Sequence, residues 1–212
     1  MKQKRHTIAV LTGDIVGSTA LGAAQLEHAL SALERCANAQ ADWMGMSLHF
    51  TRHRGDGWQV ALAKPHYALR SALAFRAALR SHNPDFDSYI AIATGEAPSV
   101  LPTDLNRESS EAFIKSGQAL DDLKTTRLPV RIVHDDLGAI GAATILADHI
   151  SQGWTQAQAA AILHSITPLE DISYTHIAQT LGKSRQAVTK SLDGAGFGAI
   201  ELALETLERD FD

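Results

Sequence analysis

Apolar residues recur with two different periods along the chain, and the switches between them outline a fold. Residues 7–12 (TIAVLT) form a short apolar run that predicts a buried strand, ended by the turn-prone Gly13-Asp14. Leu26, Leu30, Leu33 and Ala37 then repeat at i, i+4, i+7 and i+11, one face of a helix. Residues 46–52 and 58–63 predict two strands, with Arg54-Gly55-Asp56-Gly57 as the hairpin turn between them. A helix over 66–80 and a strand over 89–94 follow. Residues 97–107 hold two prolines and no period, which predicts a loop. A helix over 110–123, a short strand over 129–134 and a helix over 139–150 complete this part. The order strand, helix, hairpin, helix, strand, helix, strand predicts an α+β fold: an antiparallel sheet with helices on one face, near the ferredoxin-like arrangement.

After Gly153 the strand signals stop, and 154–212 predicts helices only. The expected boundary lies near 151–153, giving one domain over 1–152 and an all-α domain over 153–212. Trp154, at the junction, is expected to anchor packing. Residues 155–166 (TQAQAAAILHSI) predict a supporting helix. Ile200, Leu204, Leu207 and Phe211 form an apolar stripe opposite Glu201, Glu205, Glu208 and Asp210. So acidic a helix would pack within the domain or against a second subunit instead of lying on phosphates.

Residues 174–192 (YTHIAQTLGKSRQAVTKSL) carry the clearest motif. Ala178 is small where two helices would cross, and Gly182 stands where a turn needs positive φ. Ile177, Leu181, Val188 and Leu192 would make the apolar contact between the helices. This spacing resembles the helix-turn-helix of bacterial transcription regulators. Ser184 would cap the second helix. Arg185, Gln186, Thr189 and Lys190 would lie on its exposed face, with Lys183 in the turn. Arginine suits guanine and glutamine suits adenine in the major groove, while lysine and threonine suit phosphates. An ordinary helical hairpin with a solvated polar face is the plainer alternative.

Composition adjusts this picture only slightly. The 212 residues are 45% hydrophobic and 20% charged, ordinary for a globular protein. The net charge of −5 excludes a surface that coats DNA indiscriminately, though it leaves room for a local basic patch. With one cysteine, Cys36, the chain forms no intrachain disulfide and no cysteine zinc cluster. None of the ten histidines forms a zinc pattern. His49 and His53 would stand about 13 Å apart on an extended strand, too far to share a metal. No signal peptide or membrane-length apolar stretch is evident, so a soluble cytoplasmic protein is expected.

A second constellation sits near the N-terminus. Asp14 ends the first strand in TGDIVGST and Asp56 lies in the hairpin RHRGDGW. Two carboxylates at neighbouring strand ends can hold divalent cations against a triphosphate. Gly17, Ser18 and Thr19, just before a helix, would offer N–H groups and hydroxyls to phosphate oxygens. Arg52, Arg54 and Asp56 would share a strand face if the strand ran into the turn. Two aspartates in turns also serve turn formation and capping. GDIVGST is not a Walker A loop, for it lacks the lysine.

GDIVGST, RGDGW and IAIATGEA, in that order, resemble the class III adenylate/guanylate cyclase domain over roughly residues 7–135. That resemblance implies that Asp14 and Asp56 bind Mg2+ or Mn2+ with a nucleotide, and that Arg52 stands at the purine-selecting position. It also places Ile114 and Gln118 where the family has the asparagine and arginine of the transition state. An apolar group and a neutral amide supply neither orientation nor charge, so turnover by the usual route is not expected. RGDGW also resembles the diguanylate cyclase signature, but lacks its second acidic residue. The whole chain is similar to the SatD family of small bacterial proteins. The combination implies a DNA-binding transcription regulator with a degenerate cyclase-like sensor and dimerisation domain, hence a homodimer with double-stranded DNA and a nucleotide as partners. An active metal-dependent nucleotidyl cyclase regulated by its C-terminal helices is the alternative, and an adaptor that has lost both ligands is a third.

Overall fold

In the computed structural model, which describes residues 5–53, 55–168 and 172–209, β1 (Arg5–Ile15) is the middle strand of a five-stranded sheet. The others are β2 (Thr51–Arg52), β3 (Gly57–Leu62), β4 (Ser88–Pro98) and β5 (Ile132–His134), in the order β2-β3-β1-β4-β5. The helices are α1 (Ser18–Met44), α2 (Ala68–His82), α3 (Glu111–Thr125), α4 (Ala139–Gln152), α5 (Gln156–Ser165), α6 (Tyr174–Leu181), α7 (Arg185–Gly194) and α8 (Phe197–Glu208). This is a mixed α+β fold. Among the described residues no helix is long and apolar enough to cross a membrane.

Strand alternation divides β1 between two cores. Ala9, Leu11 and Ile15 face α1 and α2, while Ile8 and Val10 face a smaller cluster with Ala61, Leu105, Ala112 and Phe113. α3 supplies that second face, lying against β1 and β4. Helices on one face only, and a wholly antiparallel sheet, were expected; both expectations are corrected. β5 runs parallel to β4, and a parallel neighbour requires a crossover, which α3 provides on the far side. The strand expected over 46–52 is confined to Thr51–Arg52. His49 takes φ 50 and breaks the extended run, while Leu48 remains buried and its carbonyl accepts from Ala61 N at 3.0 Å. β4 extends to Pro98, past the start of the expected loop, because β1 pairs with it from Arg5 to Ile15.

α2 is enclosed all round: every residue from Ala68 to Leu79 is buried. α1, the sheet, α4 and α5 all lie against it. It therefore carries buried charge with dedicated partners. Arg76 Nε donates to Asp87 at 3.1 Å and its Nη1 to Asp148 at 2.7 Å and Ser151 Oγ at 2.6 Å. Arg80 and Arg131 also pair with Asp87. Near the helix start, Arg70 makes a two-point pair with Glu208 of α8. Trp154 is buried as expected: its indole donates to Ala195 O at 3.0 Å, and its own carbonyl accepts from Arg80. The α8 stripe turns inward, with Ile200 and Leu204 buried and Leu207 packed beside them. Phe211 and Asp210, expected to continue its two faces, lie outside the described residues.

Candidate functional site

The helix pair α6–α7 is fixed by its ends. Ser173 caps α6 by accepting from His176 N, and Ser184 caps α7 by accepting from Ala187 N at 3.2 Å. Between them Gly182 adopts φ 60, a conformation costly for any side chain, while Lys183 N donates to Ala178 O at 2.8 Å. Ile177, Ala178, Val188 and Leu192 are buried at the crossing, with Leu181 partly buried beside them. One face of α7 is thereby committed to packing, and Arg185, Gln186 and Lys190 are exposed. Thr189 is half-buried and its hydroxyl donates back to Arg185 O.

These side chains line an open groove of about 620 Å³ with Gln158 of α5, Asp193 and Gly194. Lys183 borders a second groove, of about 510 Å³, on the opposite flank between α5 and α7. Among the described residues, Lys183, Arg185 and Lys190 form no ion pair. Arg52, Arg70, Arg76, Arg80 and Lys124 each hold a carboxylate. Sequence reasoning missed Gln158, which reaches this groove only through the α5–α7 packing, and Asp193, which stands on α7 one turn beyond Thr189 and Lys190.

The other constellation forms at the end of β1. Residues 8, 10, 12 and 14 share a strand face, so Asp14 faces the α3 side. The β1–β3 register sets it opposite Gly57, and Ile15 N donates to Asp56 O. The two carboxylates consequently lie close enough to perturb each other's ionisation. Burial pushes Asp14 above the ordinary carboxylate range; Asp56 adds to the shift and Lys124 opposes it. Asp56 is lowered: burial works against its charge, but the Ser18 hydrogen bond, with Asp14 and Lys124 nearby, outweighs it. Lys124 Nζ bonds to Asp14 directly. Lys124 was missed because it comes from the last turn of α3, 110 residues away.

Two neighbouring carboxylates suit a hard divalent cation, which would displace Lys124 from Asp14. Among the described residues no third metal-ligating side chain joins them, so phosphate or water would complete such a site. Ser18 is committed to Asp56, not to an open phosphate position. The expected helix start is also shorter than its sequence suggests. Gly17 (φ 66) and Gly22 (φ 74, ψ 162) bracket Ser18 and Thr19, so one turn stands apart from the rest of α1. Arg52 pairs with Glu27 at 2.8 Å and Glu34 at 3.0 Å, both on α1. Ile114 and Gln118 are exposed on α3, and Arg54 lies outside the described residues. His49 and His53 are half-buried on either side of β2.

Beneath the corner, Gly13 lies under the Trp58 indole, whose Nε1 donates to Ser88 Oγ at 2.9 Å. That close approach joins TGD to GDGW and holds the two aspartate-bearing segments together. The sequence matches no known protein-family profile and no curated protein.

Proposed function

We propose that this protein is a DNA-binding transcription regulator in which α6 and α7 act as a helix-turn-helix and α7 enters the major groove. What carries the reading is the α7 face: three cations without an ion pair among the described residues, with Gln186, flank or line an open groove on a helix whose opposite side is locked by Val188 and Leu192. Asp193 would accept from a cytosine amino group, adding base choice at the far end of the groove. The test is site selection from a random duplex pool, followed by mobility shifts. Arg185→Ala and Gln186→Ala should each weaken the selected site about 10- to 100-fold and relax one base position. Lys190→Ala should weaken all sequences alike and reduce the salt slope by about 1. Wild-type shifts from the Arg185/Gln186 double variant would overturn the assignment.

The sheet half supports a ferredoxin-like, cyclase-type domain: its first four strands follow the order β4-β1-β3-β2, antiparallel throughout, with α1 and α2 as connections. In this reading Asp14 and Asp56 hold Mg2+ or Mn2+, and the cation neutralises the phosphates of a nucleotide without turnover. One observation favours the competing reading of an active cyclase, because Lys124 supplies a positive charge beside the carboxylates. Calorimetry with nucleoside triphosphate and magnesium tests binding, and chromatography of long incubations tests turnover. Cyclic nucleotide made by wild type but not by Asp14→Ala/Asp56→Ala would establish the enzyme.

A further inference from the structure

α4 is built the wrong way round for a helix on the outside of a globule. An amphipathic helix ordinarily turns its large apolar side chains to the core. In α4 the fully buried positions are Gly141, Thr144, Ala147, Asp148 and Ser151, small or polar residues throughout. At the helix start a Cβ at Gly141 would stand 2.2 Å from Asp136 O, so the segment leading into α4 folds back over its first turn. Asp148 and Ser151 meet Arg76, and Asp148 also accepts from the backbone N–H groups of Arg131 and Ile132. Three of its four large aliphatics point out instead, Ile140 alone packing partly against the core. Ile145 is 48% exposed, Leu146 66% and Ile150 40%. With Ala142 and His149 they form an outward stripe at helical spacing. At its end Ile150 lies against Gly196, where α8 begins, and α8 exposes Leu202 at 61%.

We infer that this face of α4 is covered by the same face of a second copy of the chain. Two observations select that occupant. The stripe carries no Lys, Arg, Asp or Glu, and Asp135 and Asp136 precede it, so it lacks the cations that draw a helix onto an anionic membrane. A twofold pairing sets a surface against itself, where any fixed charge would meet its like; an uncharged stripe has no such penalty. The spacing is also self-complementary. An antiparallel pair with its axis at Leu146 sets the small Ala142 opposite the large Ile150 of the other copy, at both ends. The inference requires neither DNA nor nucleotide, so it stands or falls apart from the proposed function.

Sedimentation of the full chain gives the first readout. Wild type is expected at twice 22.8 kDa, and Leu146→Glu at the monomer mass with an unchanged far-ultraviolet spectrum, its dimer weakened at least ~100-fold. Oxidative crosslinking is a second, because Cys36 is buried with its thiol pushed up to about 12 and does not compete. Leu146→Cys should give a linked dimer and Gln118→Cys, on the far α3 face, none. Three results overturn the inference: a wild-type monomer at concentrations on the order of 100 μM, a Leu146→Glu protein as dimeric as wild type, or dimeric Leu146→Cys that fails to link. The first would leave the stripe to a different protein.

Discussion

Replacing Arg76 by methionine removes the one side chain that ties α2 to both the entry of β4 and α4. Its guanidinium is fully buried and spans Asp87, Asp148 and Ser151 at 2.6–3.1 Å. Methionine fills the stem volume but leaves two buried carboxylates short of a cation, a loss of about 3–5 kcal/mol in comparable sites. Two features place the cost near the lower bound. Asp148 keeps the N–H groups of Arg131 and Ile132 and the Gln152 amide, and Asp87 keeps Arg80 and Arg131. Arg76 Nη2 has no hydrogen-bond partner among the described residues, so its desolvation already offsets part of the gain. We expect about 3 kcal/mol from a total of roughly 5–15, which for a chain of this length lowers Tm by roughly 6–12 °C. Urea unfolding followed by circular dichroism should show a lower midpoint at unchanged m. Adding Asp148→Asn should recover part of the loss, since the stranded charge disappears. A midpoint shift equivalent to less than about 1 kcal/mol would refute the claim that this cation holds the layers together.

Gly13→Ala would put a methyl 2.3 Å from the Trp58 ring, which is pinned by Ser88 and backed by Phe75 at 4.9 Å, so calorimetric melting should show a loss of about 1–3 kcal/mol. Asp87 is held below the ordinary carboxylate range because Arg76, Arg80 and Arg131 together outweigh its burial. Its stabilisation is therefore complete above the unfolded carboxylate pKa of about 4 and is lost as pH falls through the lower folded value. Unfolding free energies between neutral and strongly acid pH should drop less in Asp87→Asn than in wild type. In Lys124→Met the Asp14 carboxyl loses the group that holds it down, so its carbon resonance should titrate at higher pH; an unchanged titration would refute the pairing.

The helices were legible because each presents a period that survives in isolation: Leu30, Leu33 and Ala37 in α1, or Ile177, Val188 and Leu192 around the Gly182 turn. Strand ends were less so. β4 runs on to Pro98 because β1 offers it partners, a fact that no local window holds. The parallel placement of β5 follows from α3 carrying the chain back along the sheet before β5 begins, and a three-residue strand leaves no periodic trace of it. At the candidate sites, Arg185, Gln186 and Lys190 were readable as an exposed helix face, as Asp193 one turn further on could have been, whereas Gln158 reaches the groove through tertiary packing. Asp14 and Asp56 stood out as turn carboxylates. Lys124 did not, since nothing near it in sequence distinguishes it from any lysine ending a helix. The Arg76 cluster was equally silent, its members being ordinary surface residue types until folding buries them.

An enclosed α2 also limits how this chain can be recombined. Arg70 on its outer side is matched by Glu208 near the far end of the sequence, and Arg80 by the carbonyl of Trp154. A shuffled gene that joined residues 154–209 to an unrelated sheet would deliver those acceptors without their arginines. Transplants of that C-terminal unit should therefore succeed only when α2 travels with it, or when Glu208 and the Trp154 seat are redesigned for the new host.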